Sequence, residues 1–103
     1  ELLLPPYRFH ALIRAEAKDQ GLARDFLENV VRRVKPKKTF NLLGPIPALM
    51  EKKAGRFRQL AILTSEDRLI LHQELGEMIK LADQSELSRK VRWSVDVDPV
   101  DLF

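Results

Sequence analysis

The side chains with the most obvious chemical potential are two histidines and three carboxylates near the end of the chain. His10 and His72 have no serine or carboxylate at a spacing that builds a catalytic triad or a metal site. Asp96, Asp98 and Asp101 alternate as a cation site would, but solvated carboxylates or ion-pair partners of a nearby arginine are the favoured interpretation. The chain has no cysteine, which excludes thiolate nucleophiles and cysteine-based zinc sites. Catalysis is therefore poorly supported.

Binding chemistry is better supported, because lysine and arginine are concentrated in the middle of the chain. Residues 32–58 carry nine basic side chains against one acidic side chain, although the net charge of the whole chain is only +3. The segment 44–58 is predicted to form a hairpin that projects cations towards phosphates, with Phe57 as a ring that can stack on a base. The candidate phosphate-binding residues of this hairpin are Lys52, Lys53, Arg56 and Arg58.

Three further cations, Arg89, Lys90 and Arg92, are predicted to extend this basic patch from the last strand. An equally weighted interpretation is that the hairpin is a solvated loop and that Phe57 packs into the core. The basic cluster at residues 32–38 is a weaker indication, because positive charge at the C-terminus of a helix is favoured by the helix dipole whatever the function. No glycine-rich loop of a phosphate-binding kind is present in the sequence.

These candidate residues must be positioned by one small domain. The chain has 103 residues, of which 45% are hydrophobic and 32% charged, which fits a single domain over residues 1–103. No apolar run approaches the length that spans a bilayer, and the leucine run at residues 2–4 is too short for a signal peptide. We therefore expect a cytoplasmic protein without a membrane partner, since the lack of cysteine fits a reducing compartment.

Hydrophobic periodicity predicts six elements in the order strand, helix, strand, strand, helix, strand. The predicted strands are residues 9–17, 40–43, 56–64 and 90–97, with prolines 45 and 47 ending the second. Asp19 and Ser65 are the predicted N-caps of the two helices. The predicted apolar stripe of the second helix consists of Leu69, Ile70, Leu75, Met78, Ile79 and Ala82.

This βαββαβ order is the split pattern of a ferredoxin-like α+β sandwich. Right-handed crossovers would place both helices on one face of a four-stranded antiparallel or mixed sheet. The opposite face would then carry Leu12, with either Leu60 and Ile62 or Ala61 and Leu63, and would have no cover of its own. We therefore expect this face to dock onto another surface.

A family resemblance is carried by residues 5–7 and 12–16, 43–48 and 55–58, and 90–99. In order and spacing, these stretches resemble the C-terminal domain of bacterial primosomal protein N′, the PriA family of replication-restart DNA helicases. The resemblance runs almost from end to end and implies a C-terminal fragment of a larger helicase. The ATPase motifs and zinc-binding cysteines of that family lie upstream, so no cofactor and no enzymatic activity are expected here. The family's C-terminal domain is similar in fold to a small-subunit ribosomal protein.

The resemblance also implies partners and a role. The domain would help the helicase engage single-stranded or branched fork DNA, while packing against the helicase core of the same chain. Single-strand-binding protein and other primosome proteins are further implied partners. The alternative is a protein-docking module whose basic groups pair with acidic surfaces of the core or of a partner. A small-ligand regulatory domain is a third class, for which the sequence has no recognisable pocket motif.

Overall fold

The computed structural model describes residues 9–97, without the side chains of residues 49, 50, 51 and 53. The predicted order of six elements is confirmed. The elements are β1 (Phe9–Ala17), α1 (Leu22–Arg33), β2 (Asn41–Lys53), β3 (Arg56–Ser65), α2 (Arg68–Gln84) and β4 (Arg92–Val97).

The four strands form one sheet in the order β2-β3-β1-β4, and every neighbouring pair is antiparallel. Both helices pack on the same face of this sheet, against the inward-facing residues of β1 and β3. The predicted α+β sandwich is therefore confirmed. Neither helix within residues 9–97 combines the length and apolarity needed to cross a membrane.

The main core lies between the sheet and the two helices. Phe26 of α1 is fully buried, and the centroid of its ring lies 6.0 Å from that of Trp93. Trp93 of β4 is partly buried and packs against this core. The predicted stripe of α2 is partly wrong, because Leu69 and Ile79 are 73% and 36% exposed. Leu69 lies on the opposite side of the helix from the buried Leu71. The buried positions of α2 are Leu71, Glu74, Leu75, Met78 and Ala82.

Both predicted N-caps are displaced by two residues. Gly21 precedes α1 with a φ of 89° and no side-chain cap, so Asp19 does not cap this helix. Asp67 caps α2, because its Oδ1 accepts hydrogen bonds from the backbone N–H groups of Leu69 (2.8 Å) and Ile70 (3.3 Å). Ser65 is instead buried, where its hydroxyl donates to the carbonyl of Thr39 at 2.8 Å.

The second strand is much longer than the sequence predicts. β2 continues through Gly44 and both prolines to Lys53, because it lies at the edge of the sheet, where a missing N–H is tolerated. Its pairing with β3 shifts between Leu43 and Ile46, and again between Pro47 and Lys52. These irregularities let the strand accommodate the proline segment and still reach the hairpin.

The sheet face opposite the helices, here called the outer face, is not the uncovered apolar surface that the sequence predicts. Leu12, Leu60 and Ile62 lie on it with exposures of only 0%, 2% and 1%. The extended β2 contributes to this burial, since its Ile46 and Ala48 pack against the same cluster. The expectation that this face is openly apolar is therefore wrong, whereas its docking onto another surface stays a prediction.

Candidate nucleic-acid interface

The basic hairpin closes through a two-residue turn. Ala54 and Gly55 have φ values of 52° and 77°, which suits a type I′ turn and the right-handed twist of its flanking strands. Lys53 pairs with Arg56 across this turn, and Lys52 pairs with Phe57 one step behind it. The structure therefore places Lys52 and Lys53 at the tip of the hairpin.

Phe57 and Lys52 contact each other across the hairpin. The Lys52 Nζ lies 5.2 Å from the centroid of the Phe57 ring, within the range of a cation–π interaction. Phe57 is only partly buried, and Lys52 is exposed. The hairpin thus presents a cation and an aromatic ring together.

Two of the predicted phosphate-binding arginines share one carboxylate. Glu16 of the central strand β1 lies opposite Arg58 on one side and opposite Arg92 on the other. Its Oε2 is 3.9 Å from the Nε of Arg58, and its Oε1 is 3.5 Å from the Nη1 of Arg92. These two cations are therefore brought together, but around an internal counter-ion that the sequence reasoning missed.

The strand register divides the predicted residues between two sides of the hairpin. Arg56 and Arg58 lie two residues apart in β3, so both side chains lie on the outer face. Arg92 also lies on this face, and its backbone is two strand spacings, about 10 Å, from that of Arg58. Lys52 and Phe57 point to the other side. Arg89 and Lys90 are exposed in the turn that leads into β4, close in sequence to Arg92.

The outer face carries a second ion pair that the sequence did not predict. Arg14, two residues before Glu16 in β1, forms a salt bridge with Asp96 of β4. Asp96 was considered as a cation ligand or as a partner of Arg92, and the structure pairs it with Arg14 instead. Asp98 and Asp101, which complete that carboxylate set, lie outside the described residues.

The other basic cluster, at residues 32–38, lies away from the hairpin. It precedes Asn41, which pairs with Thr64 at the opposite end of β3 from Arg56. Two of its members have carboxylate partners, since Arg32 is 3.8 Å from Glu28 and Lys37 is 3.3 Å from Glu74. The cluster therefore belongs to a different end of the molecule.

The residues present do not fit the ATP or zinc that the family resemblance implies for the longer protein. The chain has no cysteine, and residues 9–97 contain no group of three His, Asp or Glu side chains arranged to hold a metal. Its four glycines, at positions 21, 44, 55 and 76, are too widely spaced for a phosphate-binding loop.

Comparisons of this chain with a family model and with curated relatives agree on one family. A family model described as "Primosomal protein N C-terminal domain" matches residues 1–100. The chain is 39% identical over 103 residues to the replication restart protein PriA of Haemophilus influenzae, covering 96% of this chain and 14% of that protein. It is 26% identical to the protein of the same name from Rickettsia typhi, covering 97% of this chain and 15% of that protein. The chain thus spans about one-seventh of the length of these curated relatives.

Two solved structures share the fold at low sequence identity. The de novo designed protein Foldit4 superposes with a TM-score of 0.63 at 11% identity, covering 90% of this chain and 98% of that chain. A hydantoinase/carbamoylase family amidase from Burkholderia ambifaria gives a TM-score of 0.59 at 9% identity, covering 86% of this chain and 27% of that chain. At such identities the likeness concerns the fold alone.

Proposed function

Because this chain belongs to the primosomal protein N C-terminal domain family, we propose that it is a DNA-binding accessory domain of a replication-restart helicase. The proposal is supported by one observation above all. The antiparallel register places the hairpin arginines and the start of β4 at the same end of the sheet, on either side of β1. Single-stranded or branched fork DNA is the partner whose phosphates suit such a group of cations.

Each part of the hairpin has a distinct role in this proposal. Lys52, Lys53, Arg56 and Arg58 bind backbone phosphates, and Arg89, Lys90 and Arg92 extend the contact along β4. Phe57 stacks on an unpaired base, for which its partly exposed ring beside Lys52 is suited. A module of this size binds DNA weakly alone and contributes mainly when it is tethered to stronger sites, where its effective concentration is high.

The remainder of the longer protein supplies what this domain lacks. We assign no ATP hydrolysis to these 103 residues, and we propose that a helicase core elsewhere in the longer protein carries out this reaction. The domain would work in the bacterial cytoplasm beside that core, together with single-strand-binding protein and other primosome proteins.

A protein-docking module is the second candidate function. It is favoured by the contacts of Arg58 and Arg92 with Glu16, because a carboxylate of a partner protein would suit the same guanidinium groups. Phosphate and carboxylate both accept paired hydrogen bonds from arginine. An experiment that removes the cations and supplies DNA as the only partner therefore distinguishes the two functions.

The experiment measures the binding of this chain to fluorescently labelled forked DNA by anisotropy at about 50 mM salt. Combined Lys52→Ala, Lys53→Ala, Arg56→Ala and Arg58→Ala substitutions should weaken binding about tenfold or more, because four phosphate contacts are lost. A matched control removes the same charge at the other end of the sheet through Arg32→Ala, Arg33→Ala, Lys35→Ala and Lys38→Ala. An equal loss in both variants, or no binding by the unaltered chain, would leave docking as the function.

A further inference from the structure

The outer face of the sheet contains a shallow depression beside the basic hairpin. Residues from β1, β2, β3 and β4 line it, and their polar members are arginine, glutamate and serine. The lining residues include Arg14, Glu16, Ala48, Arg58, Arg92 and Ser94. We propose that this depression binds one backbone phosphate of the nucleic acid, and that Glu16 is the resident counter-ion that this phosphate displaces. The inference rests on the proposed function and adds Arg14, Ser94 and Glu16 to its site.

The strand register brings the three arginines to one place. Arg58 and Arg92 flank Glu16 at the same register position, and Arg14 lies one step along the same side of β1 with Ser94 opposite it. Three guanidinium groups from three adjacent strands therefore border one depression. Arginine is suited to phosphate because its planar group donates two parallel hydrogen bonds.

The contacts of Glu16 with its two arginines are longer than the usual charge-assisted hydrogen bond. Charge-assisted hydrogen bonds between arginine and carboxylate are about 2.7–2.9 Å long, whereas the contacts of Glu16 with Arg92 and Arg58 are 3.5 Å and 3.9 Å. One carboxylate is shared between two strands and is closely bound to neither arginine. A phosphate oxygen can therefore replace it without the loss of a short ion pair.

Burial strengthens the electrostatic effect of these arginines. The side chains of Arg58 and Arg14 are 15% and 22% exposed, so their charges are less screened by water than that of the exposed Lys52. Asp96, which does not line the depression, is paired with Arg14, and Glu16 is the carboxylate among the described lining residues.

A purely structural role for Glu16 makes the opposite prediction. If Glu16 served only to hold the two arginines in place, its replacement would disorder them and weaken DNA binding. If Glu16 competes with phosphate, its neutral analogue should strengthen binding, because the negative charge that competes for Arg58 and Arg92 is removed. The sign of a single affinity change therefore separates the two roles.

The test measures the affinity of this chain for a labelled single-stranded oligonucleotide by anisotropy. Glu16→Gln should raise the affinity about fivefold, the size expected for loss of a partly exposed competing charge. An unchanged or reduced affinity in a folded variant, as judged by circular dichroism, would overturn the proposal.

The matched control is Glu28→Gln. Glu28 also lies near an arginine, with Arg32 at 3.8 Å, but it belongs to α1 on the other side of the sheet. The same change of net charge should alter the affinity by less than about twofold there. An equal gain in both variants would mean a general charge effect and would overturn the proposal.

A second variant tests the depression from the opposite direction. Ser94 is exposed on the outer face, so Ser94→Asp adds a carboxylate with little risk to the fold and should lower the affinity about fivefold. Asn29→Asp on α1 adds the same charge away from the depression and should have little effect. If the hairpin variant loses binding while Glu16→Gln and Ser94→Asp do not change it, this inference alone fails. If the unaltered chain does not bind, the proposed function fails.

Discussion

The ammonium group of Lys52 lies 5.2 Å from the centre of the Phe57 ring, across the hairpin between β2 and β3. This contact places a cation over an aromatic ring, because Lys52 and Phe57 are register partners two residues from the turn. A base stacked on the ring would therefore have a cation near its phosphate. If the hairpin binds DNA as proposed, the pair should favour a single strand over a closed duplex, whose bases are already stacked.

The first prediction concerns Phe57. Phe57→Leu should weaken binding to a single-stranded oligonucleotide about fivefold or more, because stacking on an aromatic ring contributes roughly 1–3 kcal/mol per base. Phe57→Tyr keeps the ring and should retain the affinity. Anisotropy titrations with single-stranded and duplex DNA measure both effects. Equal affinities for the leucine and tyrosine variants would show that Phe57 does not stack on DNA.

The second prediction compares two glycines. A Cβ atom at Gly44 would lie 2.8 Å from the Cα of Ala61 and 2.9 Å from the carbonyl oxygen of Leu60, and its φ is +134°. Gly44→Ala should therefore lower the free energy of unfolding by about 3 kcal/mol. Gly76 lies within α2 with nothing within 4 Å of the added methyl group, so Gly76→Ala should raise it by about 1 kcal/mol. Urea unfolding measures both, and a stable Gly44→Ala variant would contradict the close approach of β2 to β3.

The third prediction concerns the helix caps. Asp67→Ala should lower the free energy of unfolding by about 1 kcal/mol, because two N–H groups at the start of α2 lose their acceptor. Asp19→Ala is the control, since Asp19 is exposed and α1 begins after Gly21 instead. Its effect on the same urea measurement should stay within about 0.5 kcal/mol. Equal losses in the two variants would contradict this assignment of the caps.

Local periodicity was sufficient to predict the elements of the fold. The alternation over residues 9–17 and the stripe that includes Phe26, Leu27 and Val30 each repeat within a few residues, so β1 and α1 are present as predicted. The length of β2 was underestimated, because proline is excluded from a central strand but is tolerated in an edge strand. Whether a strand lies at the edge depends on sheet order, which residues 40–53 do not encode by themselves.

The partner of the basic residues could not be predicted for a related reason. Glu16 is 42 residues from Arg58 and 76 residues from Arg92 in sequence. Only the order β3-β1-β4 and its register bring the three side chains to one row. The sequence therefore indicated where the cations are concentrated. It could not indicate that Glu16 forms ion pairs with Arg58 and Arg92, because the fold brings these residues together.

The most direct test of the nucleic-acid assignment is the salt dependence of DNA binding by this chain. If the four hairpin cations contact single-stranded phosphates, the log–log slope should be about −0.7 × 4, and affinity should fall roughly 50-fold between 50 and 200 mM salt. The combined alanine variant of Lys52, Lys53, Arg56 and Arg58 should show a much shallower slope. A slope that is the same in both proteins would contradict the assignment.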